Sequence, residues 1–220
     1  MIRKLLTFIL LISFTSLFAQ NFQAYDLTSR TESYTPLVNA TVALGGDSDW
    51  ADFKTVFSAE SEFEFDLFDE THNGIFNFLS QNILVGAGWD YYSYDYDALL
   101  SMFIPYGPQF ENRAQIDGQD PSLIRYETIG DVGSRIFKIE YANVGFFIEQ
   151  DAHQTSDMFA NMQIWIHEAT TCIEYHYGPS MITDEELILD GEPGFIAGLI
   201  ATTIDGFGYG DVEYLSLIHI

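Results

Sequence analysis

A run of aromatic and acidic side chains is the most suggestive binding signal in this sequence. The run reads WDYYSYDYD and contains Trp89, Asp90, Tyr91, Tyr92, Tyr94, Asp95, Tyr96 and Asp97. Aromatic rings stack on the C–H faces of sugars, and the neighbouring carboxylates accept hydrogen bonds from hydroxyl groups. The tract therefore predicts a glycan or peptide contact surface. The alternative is a half-buried strand, because a tyrosine can bury its apolar ring while its hydroxyl stays in contact with water.

Acidic turns provide a second candidate site, this one for calcium. Asp47, Asp49 and Asp52 surround Trp50 in a turn that begins with two glycines. Calcium takes six to eight oxygen ligands, and closely spaced carboxylates on a turn can supply several of them. The pattern departs from an EF-hand, because the later glycine and the distal glutamate are absent. A solvated acidic loop is the alternative. The turn from Asp117 to Asp120 has the same two interpretations, a calcium site or a solvated acidic loop.

The histidines near position 170 suggest a transition metal. If Thr170 and Thr171 form a two-residue turn, His167 faces Glu174 and Trp165 faces His176 on one side of a hairpin. Two imidazoles and a carboxylate are common metal ligands, but cross-strand pairing on a solvated face explains them equally well. Thr-Thr is a poor primed turn, so a register with a longer loop stays open.

The sequence predicts no catalytic residue. Glu140 and Glu168 would suit the paired carboxylates of a glycosidase, but acidic residues on strand faces are common in a chain with 33 of them. The single Cys172 cannot form an internal disulfide and fits a structural thiol. We therefore predict a protein that is not an enzyme and has no cofactor other than calcium.

The segment from Gly133 to Gly178 must position most of these side chains. Within it, Met162, Ile164 and Ile166 alternate with polar residues, and Ile173, Tyr175 and Tyr177 do the same after a break. This period of two is typical of half-buried strands. It predicts a β-hairpin whose apolar face belongs to a core.

Short strands recur elsewhere at intervals of about ten residues, with turn signals between them. The predicted strands are Tyr34–Leu44, Phe53–Phe57, Phe63–Leu67, Gly74–Leu79, Ile83–Val85, Leu99–Pro105, Ser122–Ile129, Arg135–Tyr141 and Gly194–Thr203. A long loop is expected from Tyr106 to Pro121, a hairpin turn from Gly130 to Gly133, and a short helical turn from Asp184 to Leu189. The pattern predicts an all-β fold, an antiparallel β-sandwich of jelly-roll-like type.

The two ends of the chain do not show the strand pattern of its middle. Residues 1–19 have basic residues, a short apolar run and a small-residue end at Ala19, which predicts a cleaved signal peptide rather than a membrane anchor. A flexible lead-in is expected over residues 20–33 and a single domain over 34–214. Residues 215–220 resemble translated sequencing adapter, which would make the chain truncated; a genuine terminal strand is the alternative.

Net charge limits the partners. With 33 acidic and 8 basic residues the chain carries a formal charge of −25. Such a field repels nucleic acid and anionic lipid, so we expect neither nucleic-acid binding nor membrane insertion of the exported chain. It favours cations and basic partners.

Three motifs carry a family resemblance. They are Arg135–Tyr141 (RIFKIEY), Met162–Glu168 (MQIWIHE) and Ile173–Gly178 (IEYHYG). The chain resembles a β-sandwich module near the N-terminus of secreted, multidomain proteins of Bacteroidetes-type bacteria, which often end in a type IX secretion sorting domain. The resemblance implies location and fold, and brings no catalytic assignment.

These observations lead to one functional prediction and two alternatives. We predict a non-catalytic structural or binding module of a secreted or cell-surface protein, with a glycan or a surface protein as its partner. The first alternative is a calcium-assisted carbohydrate-binding module. The second is a glycoside hydrolase-like enzyme.

Overall fold

The protein is described by a computed structural model that covers residues 28–46, 57–67, 70–78, 83–85, 99–116, 118–170, 172–189, 194–205 and 208–219. Its strands pair antiparallel throughout these residues. Two six-stranded sheets dominate, and a two-stranded ribbon accompanies them. The predicted all-β, antiparallel, sandwich-like fold is confirmed.

The first sheet contains the predicted hairpin. Its strand order is β1-β9-β10-β11-β12, and β8 pairs with the end of β10. The strands are β1 (Thr41–Leu44), β8 (Phe110–Glu111), β9 (Leu123–Ile129), β10 (Ile136–Phe146), β11 (Ala160–His167) and β12 (Ile173–Tyr177).

The second sheet is built from both ends of the described chain. Its order is β14-β13-β7-β6-β5-β2. The strands are β2 (Phe57–Glu60), β5 (Ile75–Phe78), β6 (Ile83–Val85), β7 (Leu99–Ile104), β13 (Ile196–Asp205) and β14 (Gly208–His219). The ribbon consists of β3 (Phe65–Leu67) and β4 (Glu70–His72).

The hydrophobic core lies between the two sheets. Phe76 of the second sheet and Phe137 of the first are both fully buried, with ring centroids 4.7 Å apart. Met162, Ile164 and Ile166 are also buried, as the alternation predicted. Burial of such side chains is the main stabilising term, at about 1.5–3 kcal/mol for each large apolar residue.

Two tyrosines connect the edge strand β12 to the second sheet. The Tyr175 hydroxyl donates to the carbonyl of Gly198 at 2.7 Å, and the Tyr177 hydroxyl donates to the carbonyl of Pro105 at 2.9 Å. Burial raises the pKa of both phenols, so they stay protonated donors. The aromatic residues of this strand therefore serve packing, with their polar ends satisfied.

Strand β10 extends beyond its predicted end at Tyr141. Asn143 adopts a positive φ of 55° at a bulge, and the strand then resumes to Phe146 and pairs with β8. A bulge inserts an extra residue and bends the strand. The expected loop from Tyr106 to Pro121 is thus partly structured, since it contains β8 and a 3-10 helix, Arg113–Gln115.

The predicted strand Tyr34–Leu44 is too long, because only Thr41–Leu44 joins a sheet. The backbone N–H of Leu37 lies within 3.3 Å of both carboxylate oxygens of Glu140, on a different strand. A donor used in this way cannot join a strand ladder. Residues 30–37 instead lie across the sheet surface, and we call them the strap.

Two short helices complete the described residues. Helix α1 (Phe147–His153) was not predicted, whereas α2 (Glu185–Leu189) falls inside the expected helical turn. Among the described residues, no helix has the length and apolarity needed to cross a membrane.

Residues 215–219 lie in β14 and pair with β13, with Leu217 opposite Gly198. Whether this segment derives from adapter sequence stays a prediction, as do the boundaries of the signal peptide, the lead-in and the single domain.

Candidate functional site

Two of the sites proposed from the sequence, and one residue of a third, lie outside the described residues. This applies to the calcium candidates Asp47, Asp49 and Asp52, and to Asp117. It applies equally to the tract of Trp89, Asp90, Tyr91, Tyr92, Tyr94, Asp95, Tyr96 and Asp97. Calcium and glycan binding therefore stay predictions.

The structure gathers polar side chains on the outer face of the first sheet, opposite the core. Strand pairing places Arg125, Glu140, Gln163 and His176 in one row across four strands. The next row contains Glu127, Lys138, Trp165 and Glu174. Because side chains two residues apart share a face, the two rows form one continuous polar surface.

Glu140 is the centre of the first row and is fully buried. Its carboxylate forms an ion pair with Arg125 and accepts hydrogen bonds from the Tyr34 hydroxyl and from Nε2 of Gln163, each at 2.8 Å. Leu37 approaches it with its backbone N–H. A buried carboxylate requires such partners, because desolvation of an unpaired charge is strongly unfavourable.

The strap is the cover that buries this carboxylate. Gln163 donates from Nε2 to the carbonyl of Thr35 at 2.9 Å, in addition to its bond with Glu140. The Tyr34 ring packs on Gly178, where an added Cβ would lie 2.8 Å from the ring. Burial and the Glu140 charge raise the pKa of the Tyr34 phenol, which keeps it a hydrogen-bond donor.

The register of the β11–β12 hairpin differs by two residues from the one considered first. Ile166 pairs with Ile173, and Trp165 lies opposite Glu174. The N–H of His167 donates to the carbonyl of Cys172 at 3.1 Å, so the connection is the longer loop left open by the sequence. The prediction of a two-residue Thr-Thr turn is therefore wrong. Two-residue hairpin turns need residues that tolerate a positive φ, and threonine is not one of them. An even shift keeps every side chain on its predicted face.

A second cluster forms where this loop meets the strands. Glu174 is its centre: Oε1 lies 2.9 Å from Nε2 of His167, and Oε2 lies 2.9 Å from Nε2 of His176. Arg30 of the strap also reaches Oε2, at 2.8 Å. We call His167, Cys172, Glu174, His176 and Arg30 the hairpin-end cluster. The prediction that two imidazoles and a carboxylate meet here is confirmed. His167, however, reaches Glu174 diagonally across the strand pair, because Trp165 is the residue directly opposite Glu174.

Burial and neighbouring charge shift the pKa values of two side chains in the cluster. The pKa of His176 is lowered, mainly by burial, against the opposing effect of Glu174. The pKa of the Cys172 thiol is raised by burial and by Glu174. His176 stacks on Trp165 with ring centroids 4.1 Å apart, and Lys138 lies 3.7 Å above the Trp165 ring. Trp165 in turn donates to Gln163, which joins this cluster to Glu140.

The paired-carboxylate hypothesis finds no geometry to support it. Glu168 forms a fork with Arg135, at 2.6 and 2.9 Å, and accepts the backbone N–H of Gly133. Glu140 lies opposite Gln163, five residues along the strand from Glu168, which is about 17 Å of backbone. Glycosidase carboxylates stand about 5–9.5 Å apart. The structure does not bring these two together.

A shallow cavity of about 220 Å³ opens beside Tyr177. Its walls include Tyr106, Ala160, Ser180 and Phe195. None of its lining residues is an acid or a base with a charge at neutral pH. The cavity adds apolar surface and no chemistry to the site.

Sequence reasoning missed the partners of Glu140. Alternation places Glu140 and Gln163 on the polar face, and that signal was available. The contacts with Arg125 and Tyr34 depend on strand register and on the path of the strap, over sequence separations of 15 and 106 residues.

A protein-family model described as NIDO related matches residues 24–191. The chain belongs to the NIDO-related family. The match includes the whole first sheet and the three motifs at 135–141, 162–168 and 173–178. NIDO-related domains are generally found in extracellular proteins. The expected kinship with a module of extracellular proteins is confirmed at this level; Bacteroidetes origin and type IX secretion stay predictions.

The other comparisons gave no relatives. No curated protein matches the chain, and no solved structure does.

Proposed function

We propose that this NIDO-related domain is a non-catalytic structural or binding module of a secreted or cell-surface protein. The observation that supports this proposal most is that several acidic side chains form ion pairs within the domain. Glu140, Glu168 and Glu174 each bind an arginine or histidine of the same domain. Groups held in this way fasten loops to the sheet and are not poised for proton transfer to a substrate.

Export by the N-terminal signal peptide is part of the proposal. The acidic chain, with a formal charge of −25, suits a soluble extracellular partner that is basic or neutral. A type IX sorting domain in a longer chain would explain surface attachment. Membership of a family that is generally extracellular supports the same location.

Calcium-assisted carbohydrate binding is the second candidate. Its support is the composition of two segments: aromatic rings beside carboxylates at 89–97, and three aspartates in a glycine-led turn at 47–52. These are the residue types that sugar stacking and calcium ligation require.

Four measurements test the proposal. The exported chain should begin at Gln20 when its N-terminus is sequenced after secretion. If the module is structural or binds a surface protein, its melting temperature should be unchanged by millimolar calcium and a glycan array should show no specific signal. A rise in melting temperature with calcium that is lost in Asp49→Asn would favour the second candidate, because only an ion bound to the folded state stabilises it. Glycan signals lost in Trp89→Ala would favour it too. Glycan hydrolysis by the purified chain would overturn both.

A further inference from the structure

Three side chains that commonly ligate metals converge at the open end of the β11–β12 hairpin. Ligand atoms of His167, Cys172 and Glu174 all lie within 4.8 Å of one another. We propose that these residues bind a divalent transition-metal ion of the zinc class. This site uses none of the calcium candidates Asp47, Asp49 and Asp52, and it does not depend on the proposed function.

The ligand atoms are close enough to hold such an ion after small movements of their side chains. Zinc binds imidazole nitrogen and carboxylate oxygen at about 2.0–2.2 Å and thiolate sulfur at about 2.3 Å, so tetrahedral ligands stand about 3.3–3.7 Å apart. Nε2 of His167 and Oε1 of Glu174 stand 2.9 Å apart, so these two atoms must separate by about 0.4 Å to hold the ion between them. Cys172 is exposed and follows the loop directly, so rotation of its side chain can bring the sulfur closer.

The contact between His167 and Glu174 supports a shared ion. Nε2 of His167 is buried and has no hydrogen-bond partner, although Oε1 of Glu174 is 2.9 Å away. The two atoms therefore face each other without the angles of a hydrogen bond. A cation between two lone pairs satisfies both atoms, and a buried polar atom needs such a partner.

The two carboxylate oxygens of Glu174 have different partners. Oε1 faces His167, while Oε2 is held by His176 at 2.9 Å and by Arg30 at 2.8 Å. Outer partners of this kind orient a ligating carboxylate. His176 and Arg30 are thus positioning residues, and Glu174 would ligate through one oxygen.

The donor set decides the class of metal. Imidazole and thiolate prefer zinc, copper or cobalt, whereas calcium and magnesium prefer oxygen. Binding forms a sulfur–metal bond, and the thiol proton of Cys172 passes to solvent. With three ligands from the protein, a fourth position is left for water. The ion would fasten the loop between β11 and β12 to the strand that carries Glu174.

Cobalt(II) tests the site directly, because Cys172 is the only cysteine of the chain. The full chain, with its thiol reduced, is titrated with Co²⁺ and followed by the thiolate-to-cobalt charge-transfer absorption. We expect this absorption in the wild type and its removal by an equimolar amount of Zn²⁺. It should be absent in Cys172→Ser, and His167→Ala and Glu174→Ala should weaken binding at least ~100-fold. His176→Ala should weaken it by about 10–100-fold, as the loss of an outer partner does.

His153→Ala is the matched control, since His153 is exposed at the end of α1, and this variant should bind like the wild type. Each variant is first shown to unfold cooperatively without metal, which separates loss of a ligand from loss of the fold. The proposal is overturned if the folded wild type gives no charge-transfer band at millimolar Co²⁺. Unchanged affinity in both His167→Ala and Glu174→Ala overturns it as well, because the thiol would then bind the metal alone.

Discussion

The hydroxyl of Tyr34 donates a hydrogen bond to Glu140, a residue 106 positions later in the chain, at 2.8 Å. This bond fixes the strap over the outer face of the first sheet. It also completes the shell of partners around a carboxylate that has no access to solvent. The strap and the buried charge therefore depend on each other.

Replacing Glu140 by alanine should destabilise the domain by about 3–5 kcal/mol. The variant leaves Arg125 without its buried counterion and the Tyr34 hydroxyl without its acceptor. The free energy of unfolding from urea denaturation measures the effect. Glu186→Ala, at an exposed position of α2, should change it by less than about 0.5 kcal/mol. Equal effects of the two substitutions would show that the buried network adds no stability.

Phe76→Ala should lower the free energy of unfolding by about 3–5 kcal/mol. Phe76 is fully buried, and its ring stacks on Phe65 at 5.4 Å and meets Phe137 of the facing sheet at 4.7 Å. The truncated side chain leaves a cavity between the sheets. Val132→Ala, in the exposed β9–β10 turn, is the apolar control and should have little effect. A small change at Phe76 would mean that the sheets do not face each other across this ring.

Gly74→Ala should be more destabilising than Gly118→Ala. Both glycines have a positive φ, 75° and 87°, so both variants incur about 1–2 kcal/mol of backbone strain. Only at Gly74 would the new Cβ collide with the protein, at 2.3 Å from the carbonyl oxygen of Phe63. That clash should add about 1–3 kcal/mol. Thermal unfolding of the two variants compares them, and equal losses would contradict the tight turn.

Glu168 should make stability depend on acid pH. Arg135 and two backbone N–H groups lower the pKa of this carboxyl from 4.5 to about 2. Because the folded state lowers the pKa, the stabilisation is complete above about pH 4.5 and is lost as the pH falls towards about 2. The wild type should therefore exceed Glu168→Gln in unfolding free energy at neutral pH, and the difference should vanish near pH 2. A difference that does not vary with pH would refute the ion-pair origin.

The amino-acid pattern alone determined the class of fold and the face of each residue in the central hairpin. Met162, Ile164 and Ile166 are buried because their spacing of two matches the alternation of a strand, whatever the register. The same rule placed Glu140, Gln163, Trp165 and His176 on the polar face. The turn between β9 and β10 followed from its glycines, which supply the positive φ values that the turn needs.

Tertiary structure alone decided which polar side chains meet. The pairing of Glu140 with Arg125 requires the register of two strands, and its contact with Tyr34 requires the path of the strap. The loop length between β11 and β12 set the diagonal contact of His167 with Glu174. Local sequence carries little information about such long-range relations, because they are fixed by how complete faces pack together. Alternation therefore revealed the outer face, and only the folded chain revealed that Arg30 and Cys172 join Glu174 at the end of the hairpin.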